Sequence, residues 1–135
     1  MKKLLLIGSL CIAIIAGFSG CTKTSDSNPA AAFIGTWKGT TSCGGTATTV
    51  LTAGPTNSTV LNSGSVGSGS CYKACTITGN VNGNTVTFPA TTLVDNCGNS
   101  YTMSYSGVLN GTTLTLTGTI TGAINAVCTG TYTKQ

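Results

Sequence analysis

Across 135 residues the chain carries six lysines against two aspartates, a formal net charge of +4, and no histidine, glutamate or arginine. Without imidazole, and with Asp95 the one side-chain carboxylate past residue 32, it lacks the parts of Ser-His-Asp or Cys-His catalysis, of paired-carboxylate glycoside cleavage and of a histidine-assisted zinc site. The lysines do not cluster, which argues against a nucleic-acid partner; no catalytic residue, metal or cofactor is expected.

At the start of the chain, Lys2 and Lys3 precede the apolar run Leu4 to Ala16, followed by Phe18-Ser19-Gly20-Cys21. A basic head, a short apolar stretch and small residues before the cut are the marks of a secretory signal. The run is shorter than the ~20 residues of a spanning helix. With a cysteine directly after the small residues, segment 1–20 resembles a bacterial lipoprotein signal. That resemblance implies cleavage before Cys21, a lipid such as palmitate on Cys21, and a membrane partner held through that lipid. Thr22, rather than Asp, follows the cysteine. By the same resemblance this suggests the outer membrane of the cell envelope.

Residues 21–32 then read as the lipidated cysteine and a polar tether, and 33–135 as one domain. The tether reaches roughly 35–40 Å if extended. Beyond it no sustained i, i+3, i+4 apolar spacing occurs, and apolar and polar residues alternate instead. Threonine and the branched residues favour strands, while Gly and Asn supply turns. The alternation predicts strands at Gly35–Cys43, Thr46–Ala53, Ser58–Val66, Cys71–Val81, Asn84–Val94, Ser100–Leu109, Thr112–Gly122 and Ile124–Lys134. Short strands at this spacing predict an all-β, up-and-down antiparallel meander of about eight strands, closed or nearly closed as a barrel.

Asn82-Gly83 and Asn110-Gly111 are hairpin signals of the type I′ kind, in which both turn residues take φ > 0. Around them the chain repeats itself. Gly79 to Phe88 (GNVNGNTVTF) echoes Gly107 to Leu116 (GVLNGTTLTL). The echo predicts two equivalent hairpins in one sheet.

Gly35-Thr36-Trp37 opens the first strand, and Lys134 with Tyr132 closes the last. With about eight meandering strands, this resembles lipocalin-like and avidin-like barrels, the calycin group. The resemblance implies that Trp37 plugs one barrel end beneath Lys134. The biotin-binding residues of avidins are not recognisable, so that activity is not carried over.

Period-2 logic places Trp37, Thr41 and Cys43 on one face, as it does Tyr101, Met103, Tyr105 and Leu109. It likewise groups Ile124, Ala126, Cys128 and Tyr132, and Leu114, Leu116 and Ile120. Trp37, Tyr101, Met103, Tyr105 and Tyr132 are thus the candidates for lining a ligand cavity; the same side chains can equally fill the core.

Five cysteines follow Cys21: Cys43, Cys71, Cys75, Cys97 and Cys128. In a small extracytoplasmic domain these read as disulfides, with a cysteine metal cluster as the rival. Walking the meander brings Cys43 beside Cys128 if the first and last strands pair, and Cys97 beside Cys71. Cys75 remains as an inward thiol. The expected function is a structural or interaction role at the envelope surface with an envelope protein as partner. The alternative is a lipocalin-like binder of a small apolar or aromatic molecule in the barrel mouth.

Overall fold

The computed structural model describes residues 28–135. The expected signal segment 1–20 and the expected lipidation site Cys21 lie outside the described residues. Eight strands follow in chain order: β1 (Gly35–Thr41), β2 (Gly45–Ala53), β3 (Thr59–Val66), β4 (Lys73–Asn82), β5 (Thr85–Val94), β6 (Ser100–Asn110), β7 (Thr113–Gly122) and β8 (Ala126–Lys134). Each is antiparallel to the next, and β1 pairs with β8, so the sheet closes into a barrel. The expected all-β meander is the fold.

Alternation in sequence becomes alternation in burial, because successive side chains leave a strand on opposite faces. On β4, Ile77, Gly79 and Val81 are buried and Cys75 is half-buried, while Ala74, Thr76, Thr78 and Asn80 are exposed. The expected echo is present as the β4–β5 and β6–β7 hairpins. In each, the leading glycine makes room for an apolar side chain nine positions on. A Cβ at Gly79 would strike the Phe88 ring at 2.6 Å, and one at Gly107 would strike Leu116 at 2.5 Å.

Four local expectations are corrected. The tether ends sooner than Ala32. Asn28 caps a short 3-10 turn, Pro29–Ala32, whose Ala30 is buried and donates its N–H to Asn57 O at 3.1 Å. β4 starts at Lys73 because Gly69–Cys71 form another 3-10 turn. β8 starts at Ala126, which leaves Ile124 in the turn and half exposed rather than on the inner face. The hairpin turns also fall one residue later than a type I′ turn would. Asn82 pairs with Thr85 and Asn110 with Thr113, so the two-residue loops are Gly83-Asn84 and Gly111-Thr112. Only the glycines take positive φ, 56° at Gly83 and 59° at Gly111, which is the type II′ pattern.

The core sits at one end. Trp37, Phe33, Phe88, Leu51, Leu114, Val60 and Val86 are fully buried there. The Pro29–Ala32 turn and the β2–β3, β4–β5 and β6–β7 connections lie at this closed end. The opposite end carries the connections β1–β2, β3–β4, β5–β6 and β7–β8, and with them the disulfides.

Candidate functional site

Gly35-x-Trp37 and Lys134 build the closed end as a unit. The β1–β8 register sets Trp37 directly opposite Lys134. The Lys134 ammonium lies 5.4 Å from the centre of the Trp37 ring and donates to Ala32 O at 3.0 Å. Such a cation over an indole face is attracted by the ring quadrupole. The indole N–H is satisfied by Phe33 O at 2.8 Å. A Cβ at Gly35 would meet the Lys134 stem at 2.9 Å, so the glycine is what lets the lysine cross. Trp37 is therefore a plug, remote from the open end.

At the open end two bridges form. Cys43 joins Cys128 and Cys71 joins Cys97, with Cα atoms 5.4 and 5.2 Å apart. Cys75 is the one free thiol among the described residues, and burial pushes its pKa up. No group of three or more metal-ligating side chains occurs among the described residues.

Below the Cys43–Cys128 bridge the lumen holds a cavity of about 250 Å³, lined by Thr41, Tyr105, Leu116, Ile120, Gly130 and Tyr132 together with Cys43, Gly44 and Cys128. Two glycines create it. Tyr105 pairs with Gly118 across β6 and β7, and a Cβ at Gly118 would collide with the Tyr105 ring. A Cβ at Gly130 would meet the Tyr132 ring at 2.6 Å. Both rings thus pack against glycines of the barrel wall. At Gly118 this is the cross-strand covering of a glycine by an aromatic ring, whereas Gly130 lies two residues before Tyr132 on the same strand.

Burial raises the pKa of Tyr105, with smaller contributions from neighbouring Tyr132 and Cys75. Burial also raises that of Tyr132, opposed by a hydrogen bond with the Thr41 hydroxyl. Both phenols are neutral at ordinary pH and offer O–H groups beside aromatic faces.

Of the five lining candidates, Tyr105 and Tyr132 reach this cavity. Met103 stands beside it, its sulfur 3.6 Å from the Tyr105 hydroxyl. Tyr101 instead donates to Asp95 Oδ2 at 3.2 Å. Asp95 is buried and anchors the β5–β6 turn. Its Oδ1 accepts from Cys97 N and Asn99 N, both at 2.9 Å, and its Oδ2 from Asn99 Nδ2 at 2.9 Å. The Asn99 side-chain bond leads in holding the Asp95 pKa below its usual value, helped by the backbone bonds and Tyr101 and opposed by burial. Sequence reading missed this knot, although the lone carboxylate inside Asp-Asn-Cys-Gly-Asn was a visible signal. It also missed the role of Gly118, which only the strand register reveals, and that of Gly130, two residues before Tyr132 on the same strand.

No protein-family model matches the chain, and comparison with curated proteins finds no match.

Proposed function

We propose that this chain is a lipid-anchored envelope protein whose barrel mouth holds a small, flat apolar or aromatic molecule. The observation that carries the reading is the cavity itself, kept open by two tyrosine rings folded onto Gly118 and Gly130. At about 250 Å³ it lies just under the usual ~300–1,000 Å³ of ligand sites, which suits a molecule of one or two rings. Apolar Leu116 and Ile120 give burial, and the phenols of Tyr105 and Tyr132 give orientation. The protein binds without catalysis, since the mouth holds no carboxylate, imidazole or amine among its lining residues. The Trp37–Lys134 closure and the meander support a calycin-like likeness. The lipoprotein-like residues 1–21 support tethering through Cys21 at the outer membrane.

A structural or interaction role with an envelope protein is the second reading. It is favoured by the filled closed half, where Trp37, Phe33 and Phe88 leave no lumen. Native mass spectrometry of protein purified from its own envelope, with a fluorescence titration using 2-naphthol, separates the two. Saturable binding that falls at least tenfold in Ile120→Trp, which fills the cavity, supports the binder. No co-purifying molecule and no saturable binding would leave the structural role.

A further inference from the structure

We propose that the upper half of the β3–β4 hairpin is a wall panel that swings outward from the barrel, and that Cys71–Cys97 is its latch. The two strands hold each other firmly, pairing continuously from Thr59↔Asn80 to Val66↔Lys73. Their flanks do not. On one side β3 pairs with β2 only over Leu51↔Asn62 to Ala53↔Val60. On the other, β4 pairs with β5 only over Asn80↔Thr87 to Asn82↔Thr85. Both short ladders lie at the closed end, so the hairpin is hinged there and unzipped above on both edges.

The second seam has visible causes. The Phe88 ring sits against Gly79, Pro89 brings no N–H to the ladder, and β5 bulges in its ladder with β6 between Phe88 and Thr91. A proline and a bulge are common ways of ending strand pairing. Above them a side cavity of about 320 Å³ opens between Val66, Lys73, Cys75 and Thr76 on the hairpin and Thr92 and Leu93 on β5.

The panel also contributes little to the core. On its inner face Cys75 stands opposite Gly64, where a Cβ would touch nothing within 4 Å. Val60, Ile77 and Val81 anchor the hinge, and Val66 is the one fully apolar buried side chain near the tip. Segments with few buried apolar contacts and unpaired edges open before the rest of a fold. What holds the tip is the Cys71–Cys97 bridge, which joins it to the β5–β6 turn, with Asn96 N donating to Cys71 O at 3.0 Å and Asn96 Nδ2 donating to Tyr72 O.

A dithiol reductant would release the latch by giving up two electrons and two protons, becoming its own disulfide and leaving Cys71 and Cys97 as thiols. The swing then uncovers Cys75 from the side while Cys43–Cys128 keeps β1 joined to β8. This inference stands on the ladders and does not depend on the mouth being a ligand site.

The test is the rate at which a maleimide labels Cys75 in the Cys71→Ala/Cys97→Ala variant, with hydrogen exchange read alongside. Labelling should rise at least tenfold, with faster exchange confined to residues 63–66 and 73–78. An unchanged labelling rate would overturn the latch, and so would loss of protection throughout the barrel. Should the variant not fold, the wild type still decides. With the bridge intact, labelling of Cys75 should gain speed in urea only with the steep slope of global unfolding. A locally opening Cys75 whose labelling is nearly independent of low urea would mean that the bridge is no latch and would sink the proposal.

Discussion

Asp95 shows how much one side chain can organise in a chain nearly free of charge. Four donors converge on its two oxygens, and hydrogen bonds to the ionised form lower a carboxyl pKa. A carboxylate depressed in the folded state contributes stability above its unfolded pKa and loses it as pH falls through the lower folded value. The wild type should therefore be flat at neutral pH and loosen at the β5–β6 turn only below about pH 4. Asp95→Asn removes the acid-sensitive step and leaves Asn99 Nδ2 and the Tyr101 hydroxyl facing a donor. Amide protection factors at Cys97 and Asn99 should be several-fold lower in that variant at pH 7, with no further loss of protection on acidification. An acid transition of wild-type shape in Asp95→Asn would take the step away from Asp95, the one side-chain carboxylate among residues 28–135.

Elements were legible where a periodic pattern spoke and not where a single backbone angle decided. Strand alternation runs through Thr113 to Gly122 without a break, and that element was found within one residue of its observed start. The turns before it were misassigned because Asn-Gly fits two hairpin geometries, and the choice depends on which residue keeps its ladder partner. The Pro29–Ala32 turn was missed although Asn28-Pro29 is a helix-start pair; a single buried alanine produces no periodicity. The type II′ assignment shares a glycine prediction with type I′ and adds one at the preceding asparagines that type I′ does not make. Gly83→Val and Gly111→Val should each destabilise the fold by more than ~1 kcal/mol, because a β-branched residue is forced to φ > 0. Asn82→Thr and Asn110→Thr should stay within ~0.5 kcal/mol, as ordinary exposed strand positions. Chemical denaturation of the four variants checks both halves of the statement.

At the scale of the molecule, one register explains both ends of the barrel. The β1–β8 ladder runs from Trp37↔Lys134 to Thr41↔Gly130, and Ser42 N carries it on by donating to Thr129 O at 2.9 Å. The same alignment that lays a lysine over the plug therefore brings Cys43 opposite Cys128. This pairing could be read in the sequence because closure of a meander leaves the first and last strands no other neighbours. The cavity could not, since it depends on Tyr105 meeting Gly118 across the β6–β7 ladder. The Cys43–Cys128 bridge closes a loop with a separation of 85 residues, for which the chain-entropy estimate is ~4–5 kcal/mol before native strain. A domain so poor in bulky apolar side chains has few other reserves. Cys43→Ala/Cys128→Ala should therefore lose ~2–4 kcal/mol and melt at least ~8 °C lower, given ~4–8 °C per kcal/mol for a domain of this size. Protection at Lys38 to Thr41 and Gly130 to Thr133 should fail before that of the β6–β7 hairpin, because the terminal seam is the one joint that no short turn holds together. A melting temperature within two or three degrees of wild type would mean that the β1–β8 ladder and the Trp37–Lys134 closure hold the barrel shut without the covalent bond.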